Sequence, residues 1–291
     1  MRVLVTGSSG QLGTRLLEAL GEDRWAEARG VDLPQFDVTR ERDVEDAVAS
    51  FRPDWVLNCA AFTDVEGAEL DPDAAYRVNA TAVRSLARAC ARRGAKLLHV
   101  STDYVFSGLF RSSAPRPYAE SDEPGPLNVY GASKLAGEIW LAAEPCDSIV
   151  VRTSWLYGGP TRNFLDAILD RARAALAGGP PLRVVDDQIG TPTDAWSLAR
   201  QIRRLLAEDV RGLVHAACAG ATSWYGFARE ILRAARLDVP IEAIPASAYP
   251  ARARRPSYSA LANRRLEELG LCVLPTWEAA LGEALRRRGL A

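Results

Sequence analysis

The first half of the chain alternates short β-branched, apolar runs with longer stretches whose apolar residues recur every three or four positions. RVLVTG (2–7), DWVLNCA (54–60), KLLHVST (96–102) and SIVVRTS (148–154) predict strands, and a weaker run ending near Val31 predicts another. Between them QLGTRLLEAL (11–20), RERDVEDAVASF (40–51), DAAYRVNATAVRSLARACARRG (73–94) and the segment around Ser133 predict helices, the third closing on a glycine. Strands that are apolar almost throughout belong to a sheet covered on both faces. Their alternation with helices makes that sheet parallel and doubly wound, an α/β fold whose ligands sit at the carboxyl ends of the strands.

After Tyr157 the rhythm loosens. A helix (162–177) runs through GGPP into LRVVDD, then comes another helix (194–207) and a strand in GLVHAA (212–217) placed to rejoin the main sheet. From Thr222 the chain is helical and punctuated by proline. The expected organisation is a main domain over 1–157 with a return at about 194–218, and a smaller substrate-binding lobe built from 158–193 and 219–291. No internal repeat or heptad pattern interrupts this.

Composition narrows the function without naming it. With 48% hydrophobic and 25% charged residues and a formal net charge of -1 over 291 residues, the chain is long enough for a full core. It offers no basic surface for nucleic acid or an anionic membrane. RARR (252–255) and RRR (286–288) are the only basic clusters, and each reads as a solvated face. No run approaches the length needed to span a bilayer, and the chain enters a strand at once, so a cytoplasmic location is expected. The five cysteines lack any CxxC pair and suit free thiols in a reducing compartment. His99 and His215 both sit in apolar runs, so neither a histidine metal site nor a Ser–His triad is expected, and no metal is assigned.

Two motifs carry chemistry. TGSSGQLG (6–13) places Gly7, Gly10 and Gly13 between the first strand and the first helix. Glycines there permit a tight turn, let backbone approach a pyrophosphate and let helix pack on strand, while the helix N-terminus offers free N–H groups to phosphate. A glycine pattern alone is a weak signal, but its place at the start of the βαβ series predicts a Rossmann-type dinucleotide site. Asp32, 19 residues beyond Gly13, is placed to accept hydrogen bonds from adenosine ribose hydroxyls, which favours NADH. Asp37 reads equally as an adenine-side contact or a helix N-terminal residue.

The second motif is NVYGASKLAGE (128–138), which holds Lys134, one of only two lysines in the chain. Tyr130 and Lys134 are four apart on a helix and share a face. A phenol titrates near 10, and a neighbouring ammonium favours the phenolate and lowers that value. Ser101 and Thr102 stand at a strand end one element earlier, and strand alternation points only one of the two hydroxyls into the cleft.

Together with NCAAFTDVEGAE, VNATAVRSLA, HVSTDYVFSG, VRTSWLYG, DDQIGTPT and ARRPSYSAL, these motifs resemble the dTDP-4-dehydrorhamnose reductases, a branch of the extended short-chain dehydrogenase/reductase superfamily. The similarity runs nearly the length of the chain in order. It implies hydride transfer from NADPH or NADH to the C4 ketone of a 4-keto-6-deoxy sugar nucleotide, with Tyr130 as proton donor and Lys134 tuning it and holding the nicotinamide ribose. Thr102, chosen over Ser101 by the family match, would hydrogen-bond the carbonyl oxygen, assisted by Asp103. Gly10, Gln11, Leu12, Asp32, Asp37, Val38, Ala61, Phe62 and Thr63 match cofactor positions. Trp155 matches an aromatic packed on the deoxysugar, with a core tryptophan as the other reading. Arg254 and Arg255 are candidates for the nucleotide diphosphate.

Relatives with other activities give further expectations. A sugar-nucleotide 4,6-dehydratase carries an acid after the Thr-Asp pair, where this chain has Tyr104. Some family members form magnesium-bridged dimers through acidic side chains, one early in the first helix. Arg15 in that turn opposes such a site, so a monomer or a homodimer of another kind is expected. Three readings stay open: reduction of dTDP-4-dehydro-L-rhamnose, reduction of another 4-ketosugar nucleotide, and a non-catalytic role like that of the regulatory subunit of methionine adenosyltransferase. Cofactor choice is open too, since Arg29 is near enough in sequence to meet a 2′-phosphate.

Overall fold

The computed structural model describes residues 1–109 and 114–290. Six parallel strands form the central sheet: β1 (Arg2–Thr6), β2 (Glu27–Val31), β3 (Trp55–Asn58), β4 (Lys96–Thr102), β5 (Ser148–Thr153) and β6 (Gly212–His215). Their order across the sheet is β6-β5-β4-β3-β1-β2. The chain therefore steps to one side of β1 for β2 and to the other for β3, which opens a crevice above the carboxyl ends of β1 and β3. β6 is the expected return of the chain to the sheet.

Strand alternation decides what covers each face. Val3, Val5, Trp55, Leu57, Leu98, Ile149, Val151 and Val214 point toward helices α1 (Gln11–Gly21) and Ala195–Ala207. Leu4, Val56 and Leu97 point the other way, toward α2 (Glu41–Phe51), α3 (Ala82–Arg93) and α4 (Val129–Ala143). Helix ends follow their local chemistry. Gly94 closes α3 in the left-handed region, and the Asn128 side chain accepts from the Gly131 N–H at 2.8 Å to start α4.

The single helix expected over 73–94 is interrupted. A short helix (Pro72–Tyr76) passes through a π-helical turn (Arg77–Thr81) before α3 begins. Within this turn lies Asn79, whose buried amide is bonded to the loop after β3, as set out next.

A second apolar core joins Tyr157, Leu165, Ile168, Leu182, Phe227, Ile231, Trp277 and Leu281. There the strand Leu182–Val185 pairs in parallel with Ile241–Ile244. Among the described residues no helix is long and apolar enough to cross a membrane. Residues 110–113, in the segment between β4 and α4, lie outside the described residues.

Candidate active site

A cleft of about 740 Å³ lies over the carboxyl ends of the strands. Gly7, Gly10, Gln11, Leu12, Gly13, Asp32, Asp37, Val38, Ala61, Phe62, Thr63, Thr102, Asp103, Tyr130, Lys134 and Trp155 all line it. Gly7 turns the chain at φ +66°, and a Cβ there would stand 2.6 Å from the Ala60 nitrogen, so only glycine lets the loops after β1 and β3 touch. Gly10 caps α1 without a side-chain acceptor, and no acidic residue occupies the first turn. The first N–H groups of α1 are thus left for an anion, as a dinucleotide pyrophosphate requires.

The acidic residues are held by neighbours. Asp32 accepts from the Ser9 hydroxyl, from the Ser9 N–H at 2.9 Å and from the Leu33 N–H at 2.9 Å. Despite partial burial its carboxyl lies below the usual range because of these bonds. Asp37 accepts from the Thr39 N–H at 2.9 Å and its hydroxyl at 2.7 Å. It precedes α2 rather than occupying its first turn. Arg29 stacks over the Phe51 ring at 4.4 Å and is not among the residues of this cleft.

At the other end of the cleft Tyr130 and Thr102 line the cavity together, the Thr102 hydroxyl being near enough to favour the phenolate. Thr102 Oγ1 donates to Asp103 Oδ1 at 3.2 Å, and Ser259 Oγ donates to Asp103 Oδ2 at 2.5 Å. The Ser101 hydroxyl turns away and donates to Glu138 Oε1 at 2.5 Å. The expected softening of the phenol by its lysine is not what the geometry gives. Burial pushes Tyr130 up to about 12, opposed by Thr102 and aided by Asp103. Lys134 Nζ instead donates to the Val100 carbonyl at 2.6 Å and lies 3.2 Å from His99 Nε2. Four-residue spacing puts both side chains in one cleft; it does not bring their tips together. Burial also pushes Lys134 down to about 8, against the opposing pull of Glu138 and Cys59.

The sheet face beneath α4 turns polar at its carboxyl end. Thr6, Asn58, His99, Ser101, Arg152 and His215 are all buried there. Glu138 of α4 holds Arg152 through contacts at 2.6, 3.0 and 3.2 Å. This pair seats α4, and with it Tyr130, on β4 and β5.

Trp155, which also lines the cleft, takes a left-handed backbone at φ +44° and stacks on Trp224 with centroids 3.4 Å apart, so one face of its ring is already covered. Arg254 and Arg255 are not among the cleft-lining residues. The Arg254 carbonyl accepts from Asn128 Nδ2 at 2.8 Å, and the Arg255 guanidinium pairs with Glu66 at 2.8 Å. Arg15 donates to the Gly158 carbonyl at 3.0 and 3.1 Å and pairs with Glu18 at 2.7 Å. Among the described residues no group of three His, Cys, Asp or Glu side chains is arranged to hold a metal ion.

One residue that matters for the cleft was not singled out in the sequence. Asn79 accepts from the Phe62 N–H at 2.9 Å, and its Nδ2 donates to the Phe62 carbonyl and the Ser133 hydroxyl, both at 3.0 Å. It thereby fixes the Ala61–Phe62–Thr63 loop to α4. An asparagine on the apolar face of a helix-length segment was the available signal.

The model of the family described as RmlD substrate binding domain matches residues 1–289. The dTDP-4-dehydrorhamnose reductase of Mycobacterium tuberculosis (strain H37Rv) is 42% identical, covering 98% of this chain and 92% of its own. The crystal structure of a dTDP-4-dehydrorhamnose reductase from Clostridium acetobutylicum superimposes with a TM-score of 0.92 at 36% identity, over 99% of this chain and 100% of that one. That of Bacillus anthracis, in complex with NADP, also gives 0.92, at 35% identity over 98% and 99%. On the cleft, its glycine turn and these matches, the chain belongs to the dTDP-4-dehydrorhamnose reductase family.

Proposed function

We propose that this chain reduces the C4 ketone of dTDP-4-dehydro-L-rhamnose to the alcohol of dTDP-L-rhamnose, using NADPH or NADH. The observation that carries this reading is that Tyr130, Thr102 and Asp103, with Thr102 Oγ1 bonded to Asp103 Oδ1 at 3.2 Å, line the same cleft as the glycine turn. The bound nicotinamide supplies hydride to C4. The chain's part is to hold both partners and to deliver a proton. Thr102 and Tyr130 present hydroxyls to the carbonyl oxygen, where negative charge develops, and Tyr130 gives up its proton there. A phenol held at about 12 keeps its proton until an alkoxide, a stronger base, forms beside it. Lys134 would hold the ribose hydroxyls of the bound dinucleotide, and the N–H groups opening α1 would hold its pyrophosphate. Asp32 suits a ribose diol and repels a 2′-phosphate, whereas the Bacillus anthracis relative was crystallised with NADP, so both cofactors belong in the assay.

We assign residues 1–157 with the return at 194–218 to dinucleotide binding, and residues 158–193 and 219–291 to a lobe that covers the sugar nucleotide. The second apolar core supports that division. The protein works in the cytoplasm, as a monomer or a homodimer, without metal and without nucleic acid. The test follows nicotinamide absorbance with dTDP-4-dehydrorhamnose as oxidant. Wild type should turn over, and Tyr130→Phe should lose about 10²–10⁴-fold in kcat with dinucleotide affinity nearly unchanged. Dinucleotide binding without any turnover by the wild type would return the chain to a non-catalytic role.

A further inference from the structure

Lys134 is buried, and its amine needs partners that the helix carrying it does not supply. Two come from β4: the Val100 carbonyl at 2.6 Å and His99 Nε2 at 3.2 Å. His99 is itself fully buried, so it has no solvent to orient it. Its other ring nitrogen lies 3.0 Å from Asn58 Nδ2, and Asn58 Oδ1 accepts from the Thr6 hydroxyl at 2.8 Å. Strand register produces this row: Thr6 is the direct partner of Asn58 across β1 and β3, and Asn58 of His99 across β3 and β4. All three side chains point to the α4 face, because each occupies the same phase of the strand alternation.

The Thr6 hydroxyl engages one end of the Asn58 carboxamide and the other end engages His99 Nδ1, so the two ring nitrogens are taken up by Asn58 on one side and Lys134 on the other. The imidazole can then neither rotate nor tip without stranding a buried polar group. Thr6 also directly precedes Gly7, so the row begins at the phosphate turn and ends at the amine. We propose that His99 is a positioning residue: held by Asn58 and Thr6, it sets where the Lys134 amine stands in the cleft and so how tightly the dinucleotide is gripped. This rests on the reading that Lys134 faces the ribose.

The test compares His99→Leu, which removes both ring nitrogens, with His99→Gln, which keeps a polar group in reach of Lys134. Binding of NADPH and of NADH is measured by fluorescence without substrate, alongside thermal melts. His99→Leu should bind dinucleotide about tenfold more weakly, the size of a lost hydrogen bond to a charged group. His99→Gln should stay within about threefold of wild type. Unchanged binding in folded His99→Leu would overturn the proposal, as would equal losses in both variants, which would mean lost packing. If His99→Leu does not fold, Thr6→Val carries the test from the far end of the row: weakened binding supports the proposal and wild-type binding overturns it. Because the readout needs no turnover, a failed reductase assay leaves this result interpretable.

Discussion

Asp103 shows how burial at one residue turns into a dependence on pH. Loss of hydration pushes its carboxyl from 3.8 up to about 7, while hydrogen bonds from Ser259 and Thr102 work against the rise. A folded-state pKa above the unfolded one means that the folded chain binds the proton more tightly. The stabilisation is complete below about pH 4 and is lost as pH rises through about 7. Asp103→Asn removes the titration, so its melting temperature should fall less than that of wild type between pH 4 and pH 7. Parallel melting curves across that range would show that Asp103 does not carry the proton. Sequence named this residue from its place after Thr102 but gave no hint of its environment. Its partner Ser259 lies 156 positions away, and only the fold brings them together. The arginine pair is a related case: RARR marks charge, and only the fold shows Arg255 paired with Glu66 and the Arg254 carbonyl accepting from Asn128.

At the scale of elements, α4 is the piece on which the chemistry depends, and two sorts of contact seat it. The Glu138–Arg152 pair fastens its middle to β5, and Gly131 lets its first turn come down on the loop after β4. A Cβ at Gly131 would collide with the Tyr104 carbonyl oxygen and press on the Pro126 ring. Gly131→Ala should therefore cost about 1–3 kcal/mol of stability by overpacking. It should also lower kcat by about 10–100-fold, since it lifts the neighbouring Tyr130 away from Thr102. Melting temperature and turnover measured on the same preparation check both; an unaffected kcat would separate the seating of α4 from catalysis. The helix itself was plain from its spacing, and so was the shared face of Tyr130 and Lys134. The direction of the amine was not, because the groups that attract it are on β4. The π-helical turn was equally hidden, since periodicity reports which residues face the core and not that Asn79 must reach Phe62.

Over the whole molecule, the parallel, doubly wound sheet followed from the alternation of apolar runs and helices, with β6 returning as the late apolar run suggested, whereas the strand order came only from the fold. The second core was less legible. It pairs Leu182–Val185 with Ile241–Ile244 and draws on helices far apart in the chain, and local periodicity carries no record of such long-range partners. The two parts meet through specific bonds: the Gly159 N–H to Gln11 Oε1 at 2.8 Å, Ser259 to Asp103, and Glu66 accepting from the Arg252 N–H at 2.7 Å. Ligands seated in the crevice would strengthen this junction by mass action.

The scarcity of lysine has a practical consequence. Only two side-chain amines exist in the chain, Lys96 with its side chain 31% exposed and Lys134 at 2%. An amine-acylating reagent, followed by peptide mass spectrometry, should mark Lys96 promptly and Lys134 only when α4 lifts from the sheet. Saturating dinucleotide should slow the second mark further, and denaturant should equalise the two. Prompt acylation of Lys134 in the native protein would mean that its amine does not keep this buried place beneath the cleft in solution.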